Sequence, residues 1–236
     1  MGSPTRFTSG IATVDAQYPL GNYPFPDPFH SSGSASLGSV SYVNDFNTLI
    51  GTDYTVSGSS SAFALASGVG GVAVLTPGGT TTATAAYKPA PFLQFIAGNK
   101  FWYVVRFKAS AVSGTKAFYA GLRNGSGTTD GIWFAKAASS TSLNLVSTVG
   151  SSATTLVTGV ATMAADTYVD VAFYFDGTDL LVYSEDDLIA RVSAPTIGSS
   201  ATTLTDAILS PVFQITPTAT DTLTIDYVLA AQEVTR

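Results

Sequence analysis

At 236 residues the chain has room for one large β domain, since such domains run to about 200–250 residues without splitting. It is 45% hydrophobic, only 11% charged and carries a net charge of −6, with its basic residues scattered singly, so it lacks the clustered Lys and Arg that displace counterions from nucleic-acid phosphate. The absence of cysteine excludes a disulfide framework, a thiolate zinc site and a cysteine nucleophile.

Solubility must rest on Ser, Thr, Gly and Asn, which suits a subunit packed into an assembly or a rigid extracellular module. Met1–Arg6 lacks the apolar core of a signal peptide. No apolar run approaches the roughly 20 residues of a membrane span. The expectation is synthesis in a cytoplasm, with neither membrane nor nucleic acid as partner.

Residues 1–35 hold Pro4, Pro19, Pro24, Pro26 and Pro28, interleaved with Phe7, Ile11, Val14, Tyr18, Leu20, Tyr23, Phe25 and Phe29. Proline fixes φ and removes a donor, so this stretch predicts an extended arm and not a sheet interior. A disordered tail lacks so many aromatics. These eight side chains are therefore candidates for docking on a surface, that of their own domain or of a neighbour. A β domain is expected over residues 36–236, starting within the small-residue linker Ser31–Ser39.

Strands are predicted at Val40–Leu49, Asp53–Val56, Ala62–Ala66 and Gly71–Leu75. Phe101–Lys108 alternates Phe101, Tyr103, Val105 and Phe107 with Trp102, Val104, Arg106 and Lys108, the period of a central strand. Ala117–Arg123 and Gly131–Lys136 flank an Asn-Gly turn. Ser142–Thr148 and Thr154–Ala161 follow. In Val169–Phe175 the apolar residues Val169, Val171, Phe173 and Phe175 again occupy alternate positions. Asp176–Asp179 supplies turn residues, with Gly177 free to take positive φ. Leu180–Tyr183 returns as a strand, and Ser184–Asp187 reads as a polar break. Ala194–Thr205 reads as a loop, with at most one helical turn near Leu204–Leu209, before strands at Val212–Ile215 and Thr222–Ala230. About a dozen to fourteen strands at this spacing imply an antiparallel sandwich or barrel. Thr148–Leu156 and Thr196–Leu204 nearly repeat each other, and read as low-complexity loops.

The chemistry of a hydrolase is hard to place. The lone histidine, His30, sits in the arm. The two glutamates, Glu185 and Glu233, have no carboxylate partner at alternate positions of a strand, the arrangement sandwich glycosidases favour. No catalysis and no cofactor are therefore expected. Asp176, Asp179, Glu185, Asp186 and Asp187 could surround calcium, but their spacing reads better as turn chemistry. Trp102 and Trp133, with Tyr119, Tyr174 and Tyr183, could form a sugar-stacking platform or pack in a core or subunit interface.

The ordered segments PLGNYPFPDP, VNDFNTLIGTDYTV, FIAGNKFWYVVRFKAS, FYAGLRNGSGTTDGIWFAK, YVDVAFYFDGTDLLVYSEDDLIARVS and LSPVFQITPTATDTLTIDYVLAAQE resemble the head decoration, or cement, proteins of tailed bacteriophages with a concanavalin-A-like jelly roll. The resemblance implies an all-β antiparallel jelly-roll sandwich behind the N-terminal arm. It further implies a structural role on the outer surface of a virion, made in the host cytoplasm. There a trimer would bridge neighbouring major capsid proteins, with the arm docking on capsid or neighbouring subunits. A carbohydrate-binding or receptor-binding phage appendage, with a glycan as partner, is the alternative. A polysaccharide-cleaving enzyme on the same fold is the third reading.

Overall fold

The computed structural model describes residues 37–67, 71–79, 83–112, 117–125, 129–216 and 221–235. Seventeen strands follow one another there, with no helix among the described residues. The first eight are β1 (Leu37–Asn44), β2 (Thr55–Ser57), β3 (Ala62–Ala66), β4 (Val72–Thr76), β5 (Thr84–Tyr87), β6 (Phe101–Ala109), β7 (Ala117–Arg123) and β8 (Gly131–Lys136). Next come β9 (Ser142–Val149), β10 (Ser152–Thr162), β11 (Val169–Phe175), β12 (Leu180–Ser184) and β13 (Asp187–Val192). The last are β14 (Ile197–Gly198), β15 (Leu204–Thr205), β16 (Ser210–Thr216) and β17 (Leu223–Thr235).

Two antiparallel sheets form the sandwich expected from the strand spacing. The larger runs β13-β12-β11-β6-β17-β4-β3, and the smaller β10-β9-β8-β7-β16-β5-β2. The long last strand, β17, takes β4 at Leu223–Ile225 and β1 at Val228–Thr235 on the edge away from β6. β14 and β15 form a separate parallel pair.

The period-two alternation in β6 and β11 has a direct cause. Phe101, Tyr103, Val105 and Phe107 face Phe175, Phe173, Val171 and Val169 across the ladder, and all eight are buried between the sheets. Tyr103 stacks on Phe173 with ring centroids 5.3 Å apart, and Phe134 reaches Phe173 from the other sheet at 6.1 Å. A second aromatic cluster joins Phe46, Tyr54, Phe63 and Phe213. Burying each such side chain is worth about 1.5–3 kcal/mol, so these rings bind the sheets to each other.

Several boundaries differ from the sequence expectation for local reasons. The first strand ends at Asn44, five residues early, because Asn44 Oδ1 accepts the Phe46 N–H at 2.8 Å and Phe46 takes a φ of 53°. It starts at Leu37, inside the linker, because β17 runs on to pair with it. The acidic break after Tyr183 is a two-residue hairpin turn: Glu185 and Asp186 have φ of 49° and 72°, the primed-turn geometry that matches strand twist. It leads into β13, whose alternation is invisible because this edge strand is mostly exposed. β5 was also unpredicted. Ala85 and Ala86 at its centre are poor strand formers, and β16 and β2 hold it from both sides. The helical turn foreseen near Leu204–Leu209 does not form, because Leu204 and Thr205 pair with Ile197 and Gly198 instead. At Gly177, φ is 99° and an added Cβ would lie 2.8 Å from the Gly98 carbonyl carbon, so this turn requires glycine twice over.

Tyr103 lies fully inside the core, and its hydroxyl has no hydrogen-bond partner. A buried polar group left unpaired costs roughly 1–3 kcal/mol. Tyr103→Phe is therefore expected to stabilise the fold by about 1–2 kcal/mol in urea unfolding. A loss of stability would instead reveal a buried water on the hydroxyl.

Candidate functional site

What faces inward on β6 leaves Trp102, Val104, Arg106 and Lys108 on the outer surface of the larger sheet. The registers place Tyr174 and Ala231 on either side of Trp102, Ala172 and Leu229 beside Val104, and Asp170 and Tyr227 beside Arg106. Ala172 is also the partner of Tyr183 on β12. Small Ala172 and Ala231 leave space between the strands, and aromatic rings fill it. Trp102 lies 4.9 Å from Tyr174 and 5.8 Å from Tyr183 between ring centroids, forming a three-ring surface with the two tyrosines partly exposed.

The Tyr174 hydroxyl is pushed up to about 12, first by burial and then by the Asp176 and Glu233 charges. Burial and Asp176 raise Tyr183 as well. Both therefore stay neutral donors near neutral pH.

A charged row borders these rings. Arg106 donates from Nη1 to Asp226 Oδ2 at 2.6 Å, and its guanidinium carbon sits 4.7 Å over the Tyr168 ring. Tyr227 donates its hydroxyl proton to Asp170 Oδ2. The Asp170 backbone N–H donates to Glu185 Oε1 at 3.0 Å. Burial raises the Asp170 carboxyl above the usual aspartate range; the Tyr227 hydrogen bond opposes this, and the Glu185 and Asp186 charges add to it.

The five aromatics suggested by the sequence do not make one platform. Trp102, Tyr174 and Tyr183 belong to the larger sheet. Tyr119 and Trp133 stack on the outer face of the smaller one, 5.0 Å apart with ring planes at 24°. Alternation tells which residues share a face of their own strand, but not which of two sheets that strand enters. Asp170, Asp226 and Tyr227 were not singled out from sequence, because Asp170 on β11 and the neighbours Asp226 and Tyr227 on β17 come together only around Arg106 of β6.

Among the calcium candidates, Asp176 Oδ1 accepts the Thr178 and Asp179 N–H groups at 2.8 and 2.7 Å. The Asp179 carboxyl is lowered first by the Ala194 N–H and then by Arg191. Glu185 closes the hairpin onto Asp170. No group of three or more His, Cys, Asp or Glu side chains converges on a metal position among the described residues. The arm candidates Phe7, Ile11, Val14, Tyr18, Leu20, Tyr23, Phe25 and Phe29, with His30, lie outside the described residues.

No family model matches the chain, and no curated protein sequence matches it. Solved structures do share its architecture. A protein of unknown function from Shewanella oneidensis MR-1 superposes with a TM-score of 0.60 at 16% identity, covering 86% of this chain and 90% of that one. A glycosidic hydrolase gives 0.59 at 12% identity, over 83% and 97% of the two chains. Peanut lectin gives 0.54 at 10% identity, over 84% and 99%.

The fold is a concanavalin-A-like jelly roll. The head-decoration part of the sequence resemblance has no counterpart in these three structures.

The expectation of no catalysis is overturned, since a glycosidic hydrolase is built on this architecture. The sheet brings Asp170 on β11 and Asp226 on β17 to either side of Arg106 on β6.

Because Asp170 holds its proton more tightly in the fold than in the unfolded chain, the folded state binds more protons between the unfolded aspartate value, about 3.9, and the raised one. Its contribution to stability is full at low pH and is lost as pH rises through that window. Asp170→Asn removes the loss. Urea unfolding from about pH 3 to pH 7 should show the stability difference shifting in the variant's favour as pH rises. A flat difference, or a shift in favour of Asp170, would contradict the assignment.

Proposed function

We propose that this protein is a carbohydrate-binding jelly-roll module that lays a sugar on the Trp102–Tyr174–Tyr183 surface of the larger sheet. The observation that carries the reading is this set of three rings on an outward sheet face, bordered by hydrogen-bonding groups. Pyranose rings present C–H faces that pack on aromatic π-systems, and tyrosine combines such a face with a polar tip. Hydroxyls need donors and acceptors at the rim, and the Tyr174 and Tyr183 hydroxyls, Asp170 and Arg106 provide both kinds. A lectin and a glycosidic hydrolase use the same architecture, which supports the reading by analogy of fold alone.

A second reading, attachment to the outer surface of a phage head as a trimer bridging major capsid proteins, draws on the sequence resemblance and the apolar arm. One structural feature favours it: the edge strand β13 exposes Leu188 and Ile189 at 56% and 43%. Apolar side chains on an open sheet edge suit contact with another chain. The two readings are compatible, since a head-surface subunit can also hold a glycan.

The first reading is tested on a glycan array with the full chain and a Tyr174→Ala/Tyr183→Ala variant. Saturable binding of at least one neutral or acidic oligosaccharide is expected. The double variant should lose about tenfold or more, because each aromatic contact carries about 0.5–1.5 kcal/mol beyond its buried area. Silence across a broad array, or binding indifferent to the double variant, would reject it. For the second reading, the full chain should co-sediment with undecorated heads of a phage that encodes it, and Leu188→Lys/Ile189→Lys should lower its occupancy at least several-fold. Occupancy unchanged by the variant would remove that edge from the interface.

A further inference from the structure

The outer face of the smaller sheet carries a different chemistry. Three arginines fall among the described residues. Arg106 and Arg191, with side chains 42% and 62% exposed, each hold an aspartate. Arg123 is only 3% exposed, yet no carboxylate among the described residues lies within ion-pair distance of it. A buried charge without a counter-ion is costly, so the most deeply placed arginine is the one whose electrostatics are incomplete.

The surroundings of Arg123 hold the guanidinium still without neutralising it. Nε donates to the Gly125 carbonyl at 2.9 Å. Nη1 donates to the Tyr119 hydroxyl at 3.1 Å, and that hydroxyl donates onward to Gln214 Oε1 at 2.6 Å. The guanidinium carbon sits 4.7 Å over the Tyr87 ring. Nη2 has no partner among these contacts, and it is not among the side-chain atoms sealed from solvent without one. Gln214 spends its carbonyl oxygen on Tyr119, which leaves its amide nitrogen available as a donor.

Trp133 lies beside this group on a floor that only glycine permits. A Cβ on Gly131 would come within 2.4 Å of the indole ring, and one on Gly121 within 2.4 Å of Trp133 Cα. The Tyr119 ring then stacks on the indole.

We infer that Arg123 is the anchor of a second ligand site, one that takes the carboxylate of an acidic sugar of the uronic-acid class. The Nη edge, where Nη2 carries no hydrogen bond among the described residues, presents parallel N–H donors in the fork that matches a carboxylate. The Gln214 amide lies within one hydrogen-bonded step, via Tyr119, of the same guanidinium and can serve a sugar hydroxyl. The stacked Tyr119–Trp133 pair supplies an aromatic wall. A carboxylate there would furnish the counter-ion that the described residues do not supply. This site lies on the opposite sheet from the Trp102 surface, and neither depends on the other.

Calorimetric titration of the full chain with trigalacturonate, maltotriose and sodium sulfate at matched ionic strength tests the inference. Trigalacturonate should bind saturably and maltotriose at least tenfold more weakly at this site, with sulfate failing to displace the acidic sugar at equal concentration. Arg123→Lys keeps the charge but not the fork, and should weaken trigalacturonate at least tenfold, while Tyr174→Ala/Tyr183→Ala should leave this binding unchanged. Should Arg123→Lys lose its near-UV dichroism, Gln214→Leu takes its place, with a several-fold loss expected. The inference is overturned by equal affinity for the neutral and acidic sugars or by no binding of trigalacturonate. It is equally overturned by an unaltered affinity in the folded Arg123 or Gln214 variant, or by sulfate competing as an equal, which marks an adventitious ion only. Loss in the Tyr174/Tyr183 variant alone would assign the binding to the other sheet and reject Arg123 as the anchor.

Discussion

The pairing of β6 with β11 on one side and β17 on the other governs both surfaces of the larger sheet. Its register puts Tyr103 against Phe173 on the inner face and Trp102 against Tyr174 on the outer one. Because side chains alternate with a period of two, a slip of one residue would exchange these sets. The phenylalanines would then face water, and Trp102 with Tyr174 would enter the core. Burial of the inner rings is thus what holds the outer rings in place, so the proposed binding surface follows from core packing and not from a separate device.

Charge is used sparingly, and nearly every ionic group whose role is visible serves local geometry. Asp176 and Asp179 organise the turn after β11 and its contact with Arg191. Glu185 ties a hairpin back to Asp170, and Glu233 accepts the Lys100 backbone N–H at 3.0 Å. Against that background two places stand apart. The Asp170–Tyr227 and Arg106–Asp226 pairs line up beside the partly exposed Tyr174 and Tyr183. Arg123 sits deep among aromatics with hydrogen bonds but no opposite charge among the described residues. Acidic groups paired with Arg106 thus border one aromatic surface, and Arg123 stands beside the other.

The near-repeat of Thr148–Leu156 and Thr196–Leu204 shows how far local sequence falls short of deciding structure. In the first copy Gly150 and Ser151 take φ of 55° and 70° and join β9 to β10 as a tight hairpin. In the second, Ile197–Gly198 pairs in parallel with Leu204–Thr205 across the intervening loop. The downstream chain makes the difference. After the first copy a long strand continues along the edge of the smaller sheet. After the second, Leu204 is drawn into the core and the chain turns toward β16.

The amino-acid sequence alone determined the class of fold. Alternation in Phe101–Lys108 and Val169–Phe175, the Gly and Asp turns, and the lack of any helical period sufficed, because a strand's inner face must be apolar wherever it is packed. It also marked the aromatic residues that matter on the outer faces. Only the tertiary structure decided how those residues are grouped: Tyr174 and Tyr183 with Trp102, Tyr119 with Trp133, Asp170 with Tyr227, and Arg123 with no carboxylate among the described residues. Trp102 with Tyr174, and Asp170 with Tyr227, join strands far apart in the chain, and that cross-strand register is set by packing of the whole sandwich, which no local pattern encodes.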